Sequence, residues 1–182
     1  MSLVVVERAL EEPREFSCLQ ALEAGARGCL QTHRVRPLRA IIARDRRNMI
    51  CLYDAPDAES VRETQRVAGL PFSHVWAGLQ VVDRPQELPP GYSHILVQRT
   101  VPEGTTPAQL EYFANDPKGC NGRLRIKHVA VFASHDCRRV CCLYHGPDLE
   151  SVRAGNREMG APYERLWIAD VFEAPNLTSE KG

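Results

Sequence analysis

His128 and His145 stand at a spacing that sets both on one face of a predicted β-hairpin as diagonal neighbours. Their Cβ atoms would then lie about 7 Å apart, within reach of one ion. Neutral imidazole with a carboxylate suits nickel, zinc or copper, and Glu7 or Asp54 would complete such a site. The same carboxylates, or either histidine, set in an apolar cleft could be shifted to a pKa useful for acid/base catalysis. Trp76 and Trp167 offer flat faces for a planar ligand, with Arg39 and Gln98 as polar contacts, although packing explains the tryptophans equally well. Cys141 and Cys142 are adjacent on a strand and point to opposite faces, so they do not form a thiolate pair for one ion.

Other chemistry lacks its usual support. No GxGxxG, GxxxxGK[ST], GxSxG or HExxH pattern occurs, which removes the motif basis for nucleotide binding, acyl transfer and zincin hydrolysis. The 182 residues carry 23 basic and 23 acidic side chains, a formal charge of zero, and nucleic acid or an anionic membrane is therefore not an expected partner. Leu3 to Val6 is too short an apolar run for a signal segment or a membrane span, so a cytoplasmic protein is expected. Seven cysteines without CxxC spacing read as reduced thiols, mostly buried as small apolar groups.

These residues are positioned by a duplication. Cys51-Leu52-Tyr53-Asp54-Ala55-Pro56-Asp57 returns as Cys142-Leu143-Tyr144-His145-Gly146-Pro147-Asp148, an offset of 91 residues. The same offset takes Arg8 to Arg99, Gly28-Cys29 to Gly119-Cys120 and Trp76 to Trp167 without a gap. The expected organisation is repeat 1 over 1–82, a Pro-rich linker over 83–91, repeat 2 over 92–174 and a flexible tail over 175–182. Within repeat 1 the periodicities predict a strand over 3–8, a helix from Pro13 to Cys29, strands over 36–44 and 49–54, a helix from Pro56 to Gly69 and a strand over 75–82. That order is βαββαβ, the ferredoxin-like arrangement with both helices on one sheet face.

A two-residue turn at Arg46-Arg47 would oppose Ala40 to Tyr53 and place Cys51, Tyr53, Cys142 and Tyr144 under the helices. The other face would carry Glu7, Arg39, Asp54, Trp76, Gln98, His128, His145 and Trp167 among large apolar residues. Such a face needs covering, and the second copy can cover it. The expected fold class is α+β, two ferredoxin-like βαββαβ units packed sheet to sheet as a pseudo-dimeric α/β barrel. It would be a monomer with an internal pseudo-dimer or a higher homo-oligomer.

Val6-Glu7-Arg8, the motif from Cys51 to Arg62 and Ala68-Gly69-Leu70-Pro71 resemble a family of small bacterial domains of largely unknown function. One branch of that family is a nickel-binding, homodimeric ferredoxin-like protein. The resemblance implies a fused version of such a dimer and a divalent transition metal, nickel or zinc, as cofactor. The family commonly carries a histidine in the second helix, where this chain has Thr64 and Gly155, and the first-strand glutamate becomes Gln98 in repeat 2. The functional expectation is binding of a small ligand or metal ion in the cleft between the repeats. An acid/base enzyme acting on a small hydrophobic substrate, and a non-catalytic assembly module, are the alternatives.

Overall fold

The computed structural model describes residues 1–174, so the tail expected over 175–182 lies outside the described residues. In chain order the elements are β1 (Ser2–Ala9), α1 (Phe16–Gly25), α2 (Arg27–Thr32), β2 (Arg36–Ala43), β3 (Asn48–Ala55), α3 (Ala58–Val67) and β4 (His74–Asp83). The second copy follows with β5 (Ser93–Thr100), α4 (Pro107–Ala114), α5 (Cys120–Arg123), β6 (Lys127–Ser134), β7 (Arg139–Gly146), α6 (Leu149–Met159) and β8 (Arg165–Glu173). The fold is α+β, two ferredoxin-like βαββαβ repeats of the pseudo-dimeric α/β-barrel class.

Helix boundaries follow local chemistry. The helix expected from Pro13 to Cys29 is two, α1 and α2, separated at Ala26 with Gly25 and Gly28 on either side of the break. Pro56 does not open α3. Asp57 is the N-cap, and its carboxylate accepts from the Ser60 N–H at 2.7 Å, so the helix starts at Ala58. Asp148 repeats the cap with Ser151 at 2.7 Å.

The chain separates into two compact units, residues 1–76 with 171–174 and residues 77–170. The first holds the order β1-β3-β2, with Val6 opposite Cys51 and Ala40 opposite Cys51 on its other side. The second holds β8-β5-β7-β6-β4, with Val97 opposite Cys142 and Leu79 opposite Ala133. The boundary therefore cuts β4 near Trp76, because its later residues pair with β6.

Two features of register differ from expectation. Ala40 opposes Cys51 instead of Tyr53, because the β2–β3 connection is longer than a two-residue turn and Ile42 pairs with Met49. Each β-hairpin also carries a bulge, between Pro37 and Arg39 in the first unit and between His128 and Ala130 in the second. The extra residue reverses which face the preceding side chain occupies. His128 thus opposes Tyr144 and shares its face, under the helices, while His145 opposes His94 on the other.

The second unit's core lies between sheet and helices. Val97, Val131, Cys142 and Val152 are each at most 5% exposed, and Leu110 and Ala114 of α4 close over them.

Candidate functional site

A helix-covered cavity in each repeat

Strand parity puts Val4, Val6 and Arg8 on the helix side of β1, and Val97 and Arg99 likewise on β5. A guanidinium is thereby carried beneath the helices in both repeats: Arg8 is 3% exposed and Arg99 9%. A charge so placed requires acceptors. Arg8 donates to Gln65 Oε1 at 2.5 Å and to the Pro71 carbonyl at 2.6 Å, and its second terminal nitrogen lies 3.5 Å from the Tyr53 hydroxyl. Arg99 donates to Asn156 Oδ1 at 2.6 Å and to the Ala161 carbonyl at 3.4 Å. Among the described residues the Nε–H of each has no hydrogen-bond acceptor.

Each guanidinium borders a cavity. The cavity of the first unit is about 490 Å³ and is lined by Arg8, Glu23, Arg27, Arg39 and Tyr53 among others. The cavity of the second is about 340 Å³, and among the described residues Arg99 is the only formally charged one on its wall. Leu110, Phe113, Val131, Val140 and Met159 make the apolar part, while Asn121, His128, Tyr144 and Asn156 are the polar groups beside Arg99. Such a mostly apolar wall with a few convergent polar groups is the usual composition of a small-molecule site.

The bulge in β6 is what delivers His128 to this cavity. Its ring lies 3.9 Å from that of Tyr144, and the Asn121 amide nitrogen is 3.5 Å from Nδ1. Burial holds the imidazole down at about 3, with the Arg99 and Arg84 charges acting in the same direction. His128 is therefore neutral at physiological pH, able to donate and accept. Burial likewise pushes the Tyr144 phenol and the Cys142 thiol up, so both stay protonated.

Where the sequence-predicted residues lie

The structure does not bring His128 and His145 together: the bulge sends them to opposite faces of the hairpin. His145 meets His94 instead, edge to face with centroids 4.8 Å apart. Burial, then the His94 and Lys127 charges, hold His145 down at about 4. Trp76 Nε1 donates to Glu7 Oε1 at 2.6 Å, and in the second repeat Trp167 Nε1 donates to Gln98 Oε1 at 3.3 Å. His74 Nδ1 lies 3.8 Å from the other Glu7 oxygen. Asp54 is paired with Arg36 at 3.0 Å and Arg39 with Glu173 at 2.7 Å, the latter arginine also edging the first unit's cavity.

Sequence reasoning did not single out Arg8, Arg99, Asn121 and Asn156. The signal for the arginines was present: each stands two residues beyond an inward valine, in phase with the apolar face, and the duplication preserves it.

Comparisons and the metal question

The family model described as Nickel responsive protein SCO4226-like matches the chain twice, over residues 5–77 and 96–168. The chain belongs to that family. No curated protein matches it in sequence. Among solved structures, a chlorite dismutase variant from Candidatus Nitrospira defluvii with arginine replaced by glutamate superposes with a TM-score of 0.51 at 9% identity, covering 93% of this chain and 92% of that one. An arginine-to-lysine variant of the same enzyme gives 0.50 at 9% identity, over 96% and 92%. A putative monooxygenase from Fusobacterium nucleatum gives 0.41 at 10%, over 94% and 93%. At 9% identity the likeness to the two chlorite dismutase variants is one of fold.

The name of the SCO4226-like family raises nickel, which is a test for the donors present in this member. Among the described residues no three His, Cys, Asp or Glu side chains form a group able to hold an ion. His94 and His145 bring two imidazoles together, whereas His128 faces an amide, a phenol and a guanidinium in the cavity. Protein sites for nickel or zinc take three or four donors. The described residues of this family member do not fit a bound nickel ion, and the second-helix position where the resemblance expects a histidine is Gly155, on the wall of the second unit's cavity.

Proposed function

We propose that this member of the family binds a small organic molecule in the cavity beneath the helices of its second repeat. The observation that supports this reading is the wall itself: about 340 Å³ with apolar residues from α4, β6, β7 and α6, and Arg99, Asn121, His128, Tyr144 and Asn156 converging on it. The volume lies in the range of small-ligand sites. Gly155 contributes by omission: the Thr64 at its place in repeat 1 is fully buried, whereas a Cβ at 155 would come within 2.5 Å of Ile126 Cδ1 and 3.4 Å of Asn121 Oδ1 and would force the packing beside the cavity to shift. A neutral imidazole, a phenol and two amides are hydrogen-bonding groups that orient a ligand. They are poorly matched to proton abstraction at neutral pH, because His128 titrates at about 3.

The test is a thermal-shift panel of small acids, amides, alcohols and amines on the full chain, with nickel, zinc and copper salts alongside. At least one organic class is expected to raise the melting temperature by several degrees, and an Ala114→Phe variant, which fills the cavity, is expected to lose that response. Stoichiometric nickel in the purified protein, with no organic compound shifting the melt, would overturn the reading.

A further inference from the structure

We propose that the second repeat's cavity takes a monocarboxylate with an apolar body, the carboxylate seated toward Arg99. This rests on the preceding reading of the cavity as a ligand site and adds the class of ligand.

The argument is a comparison between the two repeats. In repeat 1 the buried guanidinium has a carboxylate one hydroxyl away: Tyr53, which Arg8 contacts, donates to Glu23 Oε1. The chain thus supplies its own anion on the wall of that cavity. The residue 91 positions after Glu23 is Ala114, and Ala114 lines the cavity of repeat 2. Arg99 keeps the same strand position, an amide partner on the last helix and the same tyrosine, but the carboxylate that stands beyond the tyrosine in repeat 1 is replaced by Ala114. Among the described residues it is paired with no carboxylate; its acceptors are the neutral Asn156 amide and the Ala161 carbonyl.

Two further exchanges point the same way. Leu30 becomes Asn121 and Pro37 becomes His128, so repeat 2 gains two groups able to donate a hydrogen bond just where it loses an acceptor. Arg84 adds positive charge nearby, donating to the Ala114 carbonyl at 3.3 Å. A cavity with one buried cation, added donors, no anion and an apolar wall is complementary to an anion carrying an apolar body. A guanidinium and a carboxylate match as a bidentate fork of two charge-assisted hydrogen bonds, which a neutral amide or carbonyl cannot supply. A dianion would leave one charge unpaired against the apolar wall, which favours a single carboxylate.

The experiment is isothermal titration of the full chain at pH 7 with octanoate, octanamide and 1-octanol. Octanoate is expected to bind with one site per chain, at least tenfold tighter than octanamide. Ala114→Glu restores the anion of repeat 1 and should weaken octanoate at least tenfold more than Ala114→Gln, which has the same size and no charge. Octanamide binding as tightly as octanoate, or Glu and Gln at 114 acting alike, would overturn the carboxylate assignment while leaving the cavity a ligand site. Binding by none of the three would overturn both. The acid-to-amide ratio on the unaltered protein decides the matter should either variant fail to fold.

Discussion

At the scale of single residues, the two buried imidazoles whose values are held down couple stability to pH. His128 is buried and held at about 3, below the usual imidazole value, and His145 at about 4. The unfolded chain therefore takes up protons first. Stability should be independent of these groups above about pH 6.5 and fall as the pH drops from there toward their folded values, by up to about 1.4 kcal/mol per pH unit for each imidazole. Urea denaturation between pH 7 and 4.5 should show this slope, and His128→Gln should cut it by about half, His145 supplying the rest; an unchanged slope would mean that His128 is protonated in the fold. The identity of His128 as a polar outlier on a strand was legible in the sequence. Its destination was not, because a bulge carries no strong sequence signature and a one-residue change of register moves a side chain across the sheet.

At the scale of elements, each repeat ties its first strand to its last helix through the arginine. Arg99 on β5 donates to Asn156 on α6, and the same amide donates to the Val152 carbonyl at 2.7 Å. Arg8 and Gln65 make the corresponding tie between β1 and α3. Replacing Asn156 by Leu keeps the side chain's bulk and removes the acceptor, leaving a buried donor unsatisfied. The expected loss is about 1–3 kcal/mol, seen as a lower urea midpoint with an unchanged slope; a neutral effect would show that Arg99 finds another acceptor. Element order and the helix-facing set of Val4, Val6, Cys51 and Tyr53 were readable from period and spacing alone, whereas the N-capping role of Asp57 and Asp148 was not, since Pro56 fits the first helical position as well. The split of the first helix and the length of the β2–β3 connection were not, since both depend on which backbone hydrogen bonds tertiary pairing leaves available.

At the scale of the whole molecule, duplication has given one chain two versions of the same buried site, and the differences between them carry the functional argument. The repeat was plain in the sequence, and so were the individual exchanges of Glu23 for Ala114, Leu30 for Asn121 and Pro37 for His128. Their common meaning emerged only when the structure set all three around Arg99. If repeat 1 is closed to an external carboxylate because Glu23 already serves its arginine, then Glu23→Ala should open it. The first unit's cavity, about 490 Å³, has room, and Arg8 and Tyr53 are already on its wall. Octanoate titrated into Glu23→Ala should bind with two sites per chain, against one for the unaltered protein, and adding Ala114→Glu should return the count to one by closing repeat 2 instead. A count that stays at one in a folded Glu23→Ala protein would show that the guanidinium and its cavity are not sufficient, and that Asn121 and His128, which repeat 1 lacks, are required for the anion to bind.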